Sequence, residues 1–340
     1  MPASNLSKAA VFALLLIVLV IGGWEIFLRN KGISISYDNG KELWADKRAM
    51  VYEPSDKTTV FIGSSRIKFD LDIDTWQKET GRHAVQLAIE GSSPMPVLTD
   101  LGNDPDFHGR LVVDVTEGLF YSSDPYNFQR PETNLAWYKK RTPAEKAGFV
   151  LDHFLESQLV FLDRDKFSLN AGLDRFNIPD RPGVYAFPAF PVDFNCSDFS
   201  RQSKMTPRFV ADTGLQRQVQ KVWLFVMDLG KKAPPPKQDP VPPVLAAAKT
   251  AVDKIRARGG EVVFIRTPSS GVMLGVEQHV FPRARFWDPL LTATHCQGIF
   301  YADYPATAHF TCPEWSHLSP QDAVQYTQAL ITQLPPSFTH

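Results

Sequence analysis

Gly63-Ser64-Ser65-Arg66 follows the apolar run Thr59-Val60-Phe61-Ile62, and Glu314-Trp315-Ser316-His317-Leu318 stands near the other end of a 340-residue chain. A serine hydroxyl is a poor nucleophile until a positioned imidazole takes its proton. Ser65 supplies the alcohol. His317 supplies a base, and Glu314, three residues earlier, can curl back to the imidazole Nδ1–H and hold the tautomer. Singly, each half has a plain reading: a Gly-Ser-Ser turn, and a surface acid and histidine beside a helix start. As an ordered set they spell nucleophile, acid and base.

Such a set works only if folding brings the two ends of the chain together. Short apolar runs recur with turn signals between them: Thr58–Ile62, His83–Ile89, Leu111–Val115, Glu261–Ile265 and Gly298–Ala302. Runs this short and this apolar predict strands of a parallel sheet covered on both faces. Helical patterns lie between them over Asp74–Thr80 and Val244–Arg258, the latter stopped by Gly259-Gly260. The last helix opens with Ser319 as cap, Pro320 in the first turn and Asp322 at the capping-box position. The expected fold is therefore α/β, a three-layer doubly wound sheet. In such sheets sites gather at the carboxyl ends of strands, where Gly63, Gly91 and Pro268 stand.

From residue 120 to 243 the alternation breaks into aromatics, prolines and charges. This stretch reads as a large insertion with two helices, Thr142–Leu159 and Arg208–Leu229, and a stiff proline-rich linker from Ala233 to Pro243. After the fourth strand, Arg283 or Arg285 could hold an anionic substrate group, and Trp287 could stack on a sugar ring. The alternative for each is a surface arginine paired with an acid, and a core tryptophan.

Ala9–Leu28 carries one charge, Glu25, near its end and is long enough to cross a ~30 Å hydrocarbon core. Trp24 suits the interface. No small-x-small cleavage site closes the run, so it predicts an uncleaved anchor. Residues 1–31 are then a cytoplasmic stub and transmembrane helix, 32–54 a stem, and 55–340 the folded domain. Lys8 before the span and Arg29 and Lys31 after it leave the charge rule balanced. The net charge of −1, with no basic run interleaved with aromatics, argues against a nucleic-acid partner. The eight histidines are scattered, with no metal-ligand spacing and no phosphate loop, so no metal or cofactor is expected. Cys296 and Cys312 either bridge in an oxidising compartment or stay buried thiols.

The set Gly63-Ser64-Ser65-Arg66, Gly91 after the second strand, and Glu314-x-x-His317-Leu318 resembles the SGNH/GDSL hydrolase superfamily. Within it the chain is similar to membrane-anchored, exported members of the DltD and alginate O-acetylation kind. The resemblance implies a flavodoxin-like sheet, Ser65 as nucleophile, and the amides of Ser65 and Gly91 as oxyanion donors. It implies esterase or O-acyltransferase activity on an acylated glycan or envelope polymer, with a membrane-bound O-acyltransferase as partner. The soluble domain would then lie in the periplasm or outside the cell, tethered to the inner membrane. One feature departs from the pattern. The superfamily's third block carries an asparagine that donates to the oxyanion, whereas the third strand here runs into Val115-Thr116-Glu117-Gly118. A missing oxyanion donor costs about 3 kcal/mol in the transition state.

Overall fold

Five of the apolar runs are strands of one parallel sheet: β1 (Thr58–Ile62), β2 (His83–Gln86), β3 (Arg110–Asp114), β6 (Glu261–Arg266) and β7 (Gln297–Phe300), in the order β2-β1-β3-β6-β7. A two-residue ribbon, β4 (Cys196–Ser197) with β5 (Ser203–Lys204), lies between β3 and β6 in sequence. The computed structural model describes residues 3–54, 56–174, 188–234 and 236–339. Its chain divides into two units, Met1–Asp38 with Thr142–Arg181, and Asn39–Arg141 with Pro182–His340.

The second unit holds the sheet. Val60 pairs with Val85 on one side and Leu111 on the other. Side chains alternate across a strand. Val60, Ile62, Val85, Leu111, Val113, Val262 and Phe264 therefore join one core, and Phe61, Ala84, Val112, Val263, Ile265 and Ile299 a second. Helices Lys41–Ala49, Met95–Asn103, Val241–Ala257 and Asp288–Thr294 supply the first core; Ile73–Thr80 and Pro320–Ile331 supply the second. Two buried faces explain why the strands read as continuous apolar runs rather than alternating ones. From β1 the chain steps out to β2, then returns past β1 to β3. The carboxyl ends of β1 and β3, neighbours in the sheet, border the crevice such a reversal leaves.

Several elements differ from expectation. Residues 32–54 are not a stem throughout: Lys41–Ala49 is a helix whose Trp44 is fully buried and donates to the Leu87 carbonyl at 2.9 Å. The reason is long-range pairing: Arg48 is buried between Asp100 and Asp104 at 2.8 and 2.7 Å. The expected Arg208–Leu229 helix is two helices, Pro207–Ala211 and Thr213–Lys232, because Asp212 caps the second through Gly214 N and Leu215 N. The proline-rich stretch ends earlier than expected, since Pro242 and Pro243 sit in the first turn of Val241–Ala257, where no amide donor is needed. Pro235 of that stretch lies outside the described residues. No disulfide joins Cys296 to Cys312; each is a buried thiol.

The first unit contains the helix Ala3–Asn30, within which Asn5–Asn30 is long and apolar enough to span a membrane, with a mean hydropathy of 2.6. It also holds the helix Pro143–Glu156, opened by a Thr142/Glu145 capping box, and the turn Val160–Leu162. The capping box satisfies two amide donors that a helix start leaves orphaned.

Candidate active site

Ile62 ends β1, and the chain must turn at once to start the helix Ser65–Asp70. Gly63 makes this possible by its lack of a side chain: a Cβ there would stand 2.7 Å from Asp114 Cβ and 2.8 Å from Ile67 Cγ2. β1 and β3 therefore close up at the site, and Ser64 Oγ shares a hydrogen bond with Thr116 Oγ1 at 2.7 Å. Ser65 follows as the first helical residue, partly exposed.

The late motif meets it. His317 Nε2 lies 2.8 Å from Ser65 Oγ, and His317 Nδ1 lies 2.8 Å from Glu314 Oε1. A carboxylate only accepts, so Nδ1 carries the ring proton and Nε2 is left to accept from the serine hydroxyl. Glu314 Oε1 also accepts the His317 backbone N–H at 2.6 Å, which closes the acid-x-x-His turn. His317 is 1% exposed and Glu314 fully buried. A buried carboxylate needs several donors to persist. The remaining oxygen, Oε2, accepts the indole N–H of Trp223. Thus the three residues expected to act together, Ser65, His317 and Glu314, are brought into one hydrogen-bonded line across 252 residues of sequence.

Aromatic rings fix the imidazole. The ring centroids of Phe69, Phe194 and Trp223 lie 4.5, 5.6 and 5.9 Å from that of His317. Phe194 and Trp223 come from the segment between β3 and β6. The loop carrying the motif is tied at both ends. Leu318 N–H donates to Asp70 Oδ1 at 2.9 Å, and Ser270 N–H donates to the Trp315 carbonyl at 2.8 Å. Trp315 is left-handed (φ 84°), an uncommon state for a bulky residue. Its indole lies on Gly271, also left-handed at φ 53°, where a Cβ would stand 2.6 Å from Trp315 Cδ1.

Beneath the line runs a buried ionic chain. Arg66, next to Ser65, pairs with Glu277 and donates to Ser316 Oγ, next to His317, at 3.3 Å. Glu277 also accepts from Arg266 Nη2 at 2.5 Å and Ser269 Oγ at 2.7 Å. Arg266 Nε donates to both carboxylate oxygens of Glu117, at 2.9 and 2.8 Å. Burial pushes the Glu277 carboxyl up, but Arg266 and Arg66 overcome it and hold it down to about 2. Asp114, buried without a facing cation in hydrogen-bond contact, behaves the other way: burial pushes it up to about 6, only partly offset by Arg266 and Arg66. In this network Glu117, which follows the third strand, is the partner of Arg266.

Gly91 sits on the turn after β2, in a left-handed conformation (φ 60°) with open space where a side chain would be. The peptide before it is held by neighbours: Arg201 donates to the Gln86 and Ala88 carbonyls at 2.7 and 3.0 Å, and Glu90 pairs with buried Lys68. The three expected substrate contacts have partners within the protein. Trp287 is 1% exposed and packs edge-on against Phe300 at 5.4 Å, so neither face is open to a sugar. Arg283 is engaged by Asp288 and Asp303 at 3.0 and 2.5 Å, and Arg285 by Asp239 at 3.2 Å. A 220 Å³ cavity beside Glu261, Gln297 and Phe338 lies at the amino ends of β6 and β7, the opposite end of the sheet from Ser65.

Sequence reasoning missed Trp223, Phe194 and the Arg66–Glu277–Arg266–Glu117 chain. Arg266 had a usable signal, a charge closing an otherwise apolar strand. Trp223 had none, because its partner is 91 residues away. Compared with known proteins, the chain matches no protein-family model and no curated protein sequence.

Proposed function

We infer that this chain is a serine-dependent esterase or O-acyltransferase of the SGNH type. The observation that carries the reading is the Ser65–His317–Glu314 line, with both contacts at 2.8 Å. In the proposed reaction Ser65 Oγ attacks an acyl carbonyl while His317 Nε2 takes its proton. The tetrahedral oxyanion is held by the amides of Ser65 and Gly91. It collapses with departure of the alcohol, which takes the proton back from Nε2, and an acyl-serine remains. An acceptor hydroxyl then gives its proton to Nε2 and attacks the ester, which frees Ser65. Water as acceptor gives an esterase, and a sugar hydroxyl gives an acyltransferase.

The apolar helix supports a tether to a membrane, and in this reading the folded units lie on the periplasmic or external side of the cytoplasmic membrane. From there the substrate would be an acylated glycan or another envelope polymer. A fluorophosphonate probe tests the chemistry: it should label the native protein and fail to label S65A.

One observation favours a second reading. Glu117 replaces the oxyanion-donating asparagine of the superfamily and is locked as the acceptor of Arg266. A chain short of that donor could serve as a glycan-binding or accessory protein beside a membrane O-acyltransferase. A folded sample that resists the probe would favour this reading over the first.

A further inference from the structure

The helix Pro143–Glu156 has no buried residue, yet it carries an apolar stripe. Val150, Leu151, Phe154 and Leu155 are 65, 60, 59 and 37% exposed. Positions 150 and 154, and 151 and 155, are four apart and lie along one face. The stripe is not left over from packing within the unit, because another side of the helix makes that contact: the His153 ring lies 5.3 Å from Tyr37. Contiguous exposed apolar surface of this kind marks a docking face.

The same unit shows what lies beside it. The apolar N-terminal helix is exposed along its length from Leu6 to Ile21, and in its last turns one side is covered: Glu25 and Leu28 are buried, while Trp24, Ile26 and Phe27 stay exposed. Glu25 accepts the Val160 and Phe161 backbone N–H groups at 3.0 and 3.4 Å, and Arg29 Nη2 donates to the Gln158 carbonyl at 2.9 Å. Residues 158–161 are thus fastened to the end of the apolar helix, where Trp24, stacked on Phe27, suits the membrane interface. Phe154 precedes Gln158 by four residues, a rise of about 6 Å, and the interfacial layer on each side of the hydrocarbon is roughly 5–7 Å thick. Whatever the direction of the helix, Phe154 therefore stays within about one interfacial thickness of the point fastened to the anchor.

We propose that the helix Pro143–Glu156 is an interfacial helix whose Val150, Leu151, Phe154 and Leu155 insert into the bilayer beside the anchor. The occupant of the face is lipid. Apolar insertion is its driving force, because the charges on the helix are mostly acidic (Glu145, Asp152 and Glu156 against Lys146) and offer no attraction to anionic headgroups. The chain then meets the membrane at two places, the span and the stripe, with the turn at Val160 as the joint between them. The proposal rests on the anchoring part of the reading above and is independent of the acyl chemistry.

Full-length protein in vesicles of phosphatidylethanolamine and phosphatidylglycerol tests it. Single nitroxide labels go at V150C and F154C, at D152C on the polar side, and at L15C within the span, all in a C196S background whose fold is checked by circular dichroism. The expected result is a several-fold higher ratio of oxygen to nickel-chelate accessibility at 150 and 154 than at 152. Equal ratios would place the stripe in water and overturn the proposal. Exclusion of both reagents at 150 and 154 would show a protein partner there and overturn it equally. The label at position 15 separates the two readings: a water-exposed signal there overturns the span, and the interfacial helix with it.

Discussion

Trp223 donates its indole N–H to Glu314 Oε2, the carboxylate oxygen that His317 does not use. The acid of the line is thereby held from two sides: the imidazole and backbone amide of His317 on Oε1, and an indole from the segment between β3 and β6 on Oε2. Without the indole, one oxygen of a fully buried carboxylate would lose a charge-assisted bond, worth about 1.5–3 kcal/mol. The W223F variant keeps most of the ring packing and removes only the donor. Its kcat/KM towards a p-nitrophenyl ester is expected to fall roughly tenfold to a hundredfold. An unchanged kcat/KM would make Trp223 a packing residue only.

The Arg66–Glu277–Arg266–Glu117 chain fixes the residues next to Ser65 and His317, so its loss should act on both stability and rate. Removing one member of a buried pair leaves an uncompensated charge and costs about 3–5 kcal/mol. E277Q is expected to lower the urea midpoint by a correspondingly large amount, since two buried arginines lose their shared negative charge and one of its two acceptor oxygens becomes a donor. An exposed pair such as Lys249–Asp253 should cost ~0.5 kcal/mol or less when broken by D253N. Similar midpoints for E277Q and D253N would show that the chain contributes nothing special.

The local parts of this site were legible in the sequence, and the remote parts were not. Ser65 and the Glu314-x-x-His317 turn are each written within a few residues, so a reader can pair them by their chemistry. The strands were legible because burial on both faces leaves unbroken apolar runs. Lys41–Ala49 escaped notice because only Leu43, Trp44 and Ala45 give it an apolar face; its burial depends on Arg48 finding Asp100 and Asp104, more than fifty residues away. Trp287 misled for the opposite reason. Its side chain suits either a sugar or a core, and only the contact with Phe300 decides which.

Asp114 and Glu277 give stability opposite dependences on pH. Glu277 is held down to about 2 when folded, below its ordinary 4.5, so its contribution is complete above that value and is lost as pH falls towards 2. Asp114 is raised to about 6 from 3.8, so the folded state favours its protonated form; that advantage is complete below 3.8 and is lost as pH rises through 6. D114N has no such charge to bury. Its stability relative to the native protein should therefore improve between pH 4 and pH 7.5, as read by urea unfolding at each. A difference independent of pH would show that Asp114 titrates alike in both states.

Gly271 supports the loop that carries Glu314 and His317 without touching the line itself. Its φ of 53° disfavours any side chain, and a Cβ would press on Trp315 Cδ1 at 2.6 Å. Trp315 is itself left-handed and lies between Glu314 and His317, so the pressure passes directly into the acid–base turn. The backbone strain alone costs about 1 kcal/mol or somewhat more. G271A should therefore fold with a modestly lower midpoint but react with the fluorophosphonate probe far more slowly. G148A is the control, because Gly148 has open space around it and an ordinary helical position. Exchange of alanine for glycine there favours the helix by about 1 kcal/mol, and labelling should keep its native rate. If G271A labels as fast as G148A, the packing of Trp315 on Gly271 does not set the position of His317.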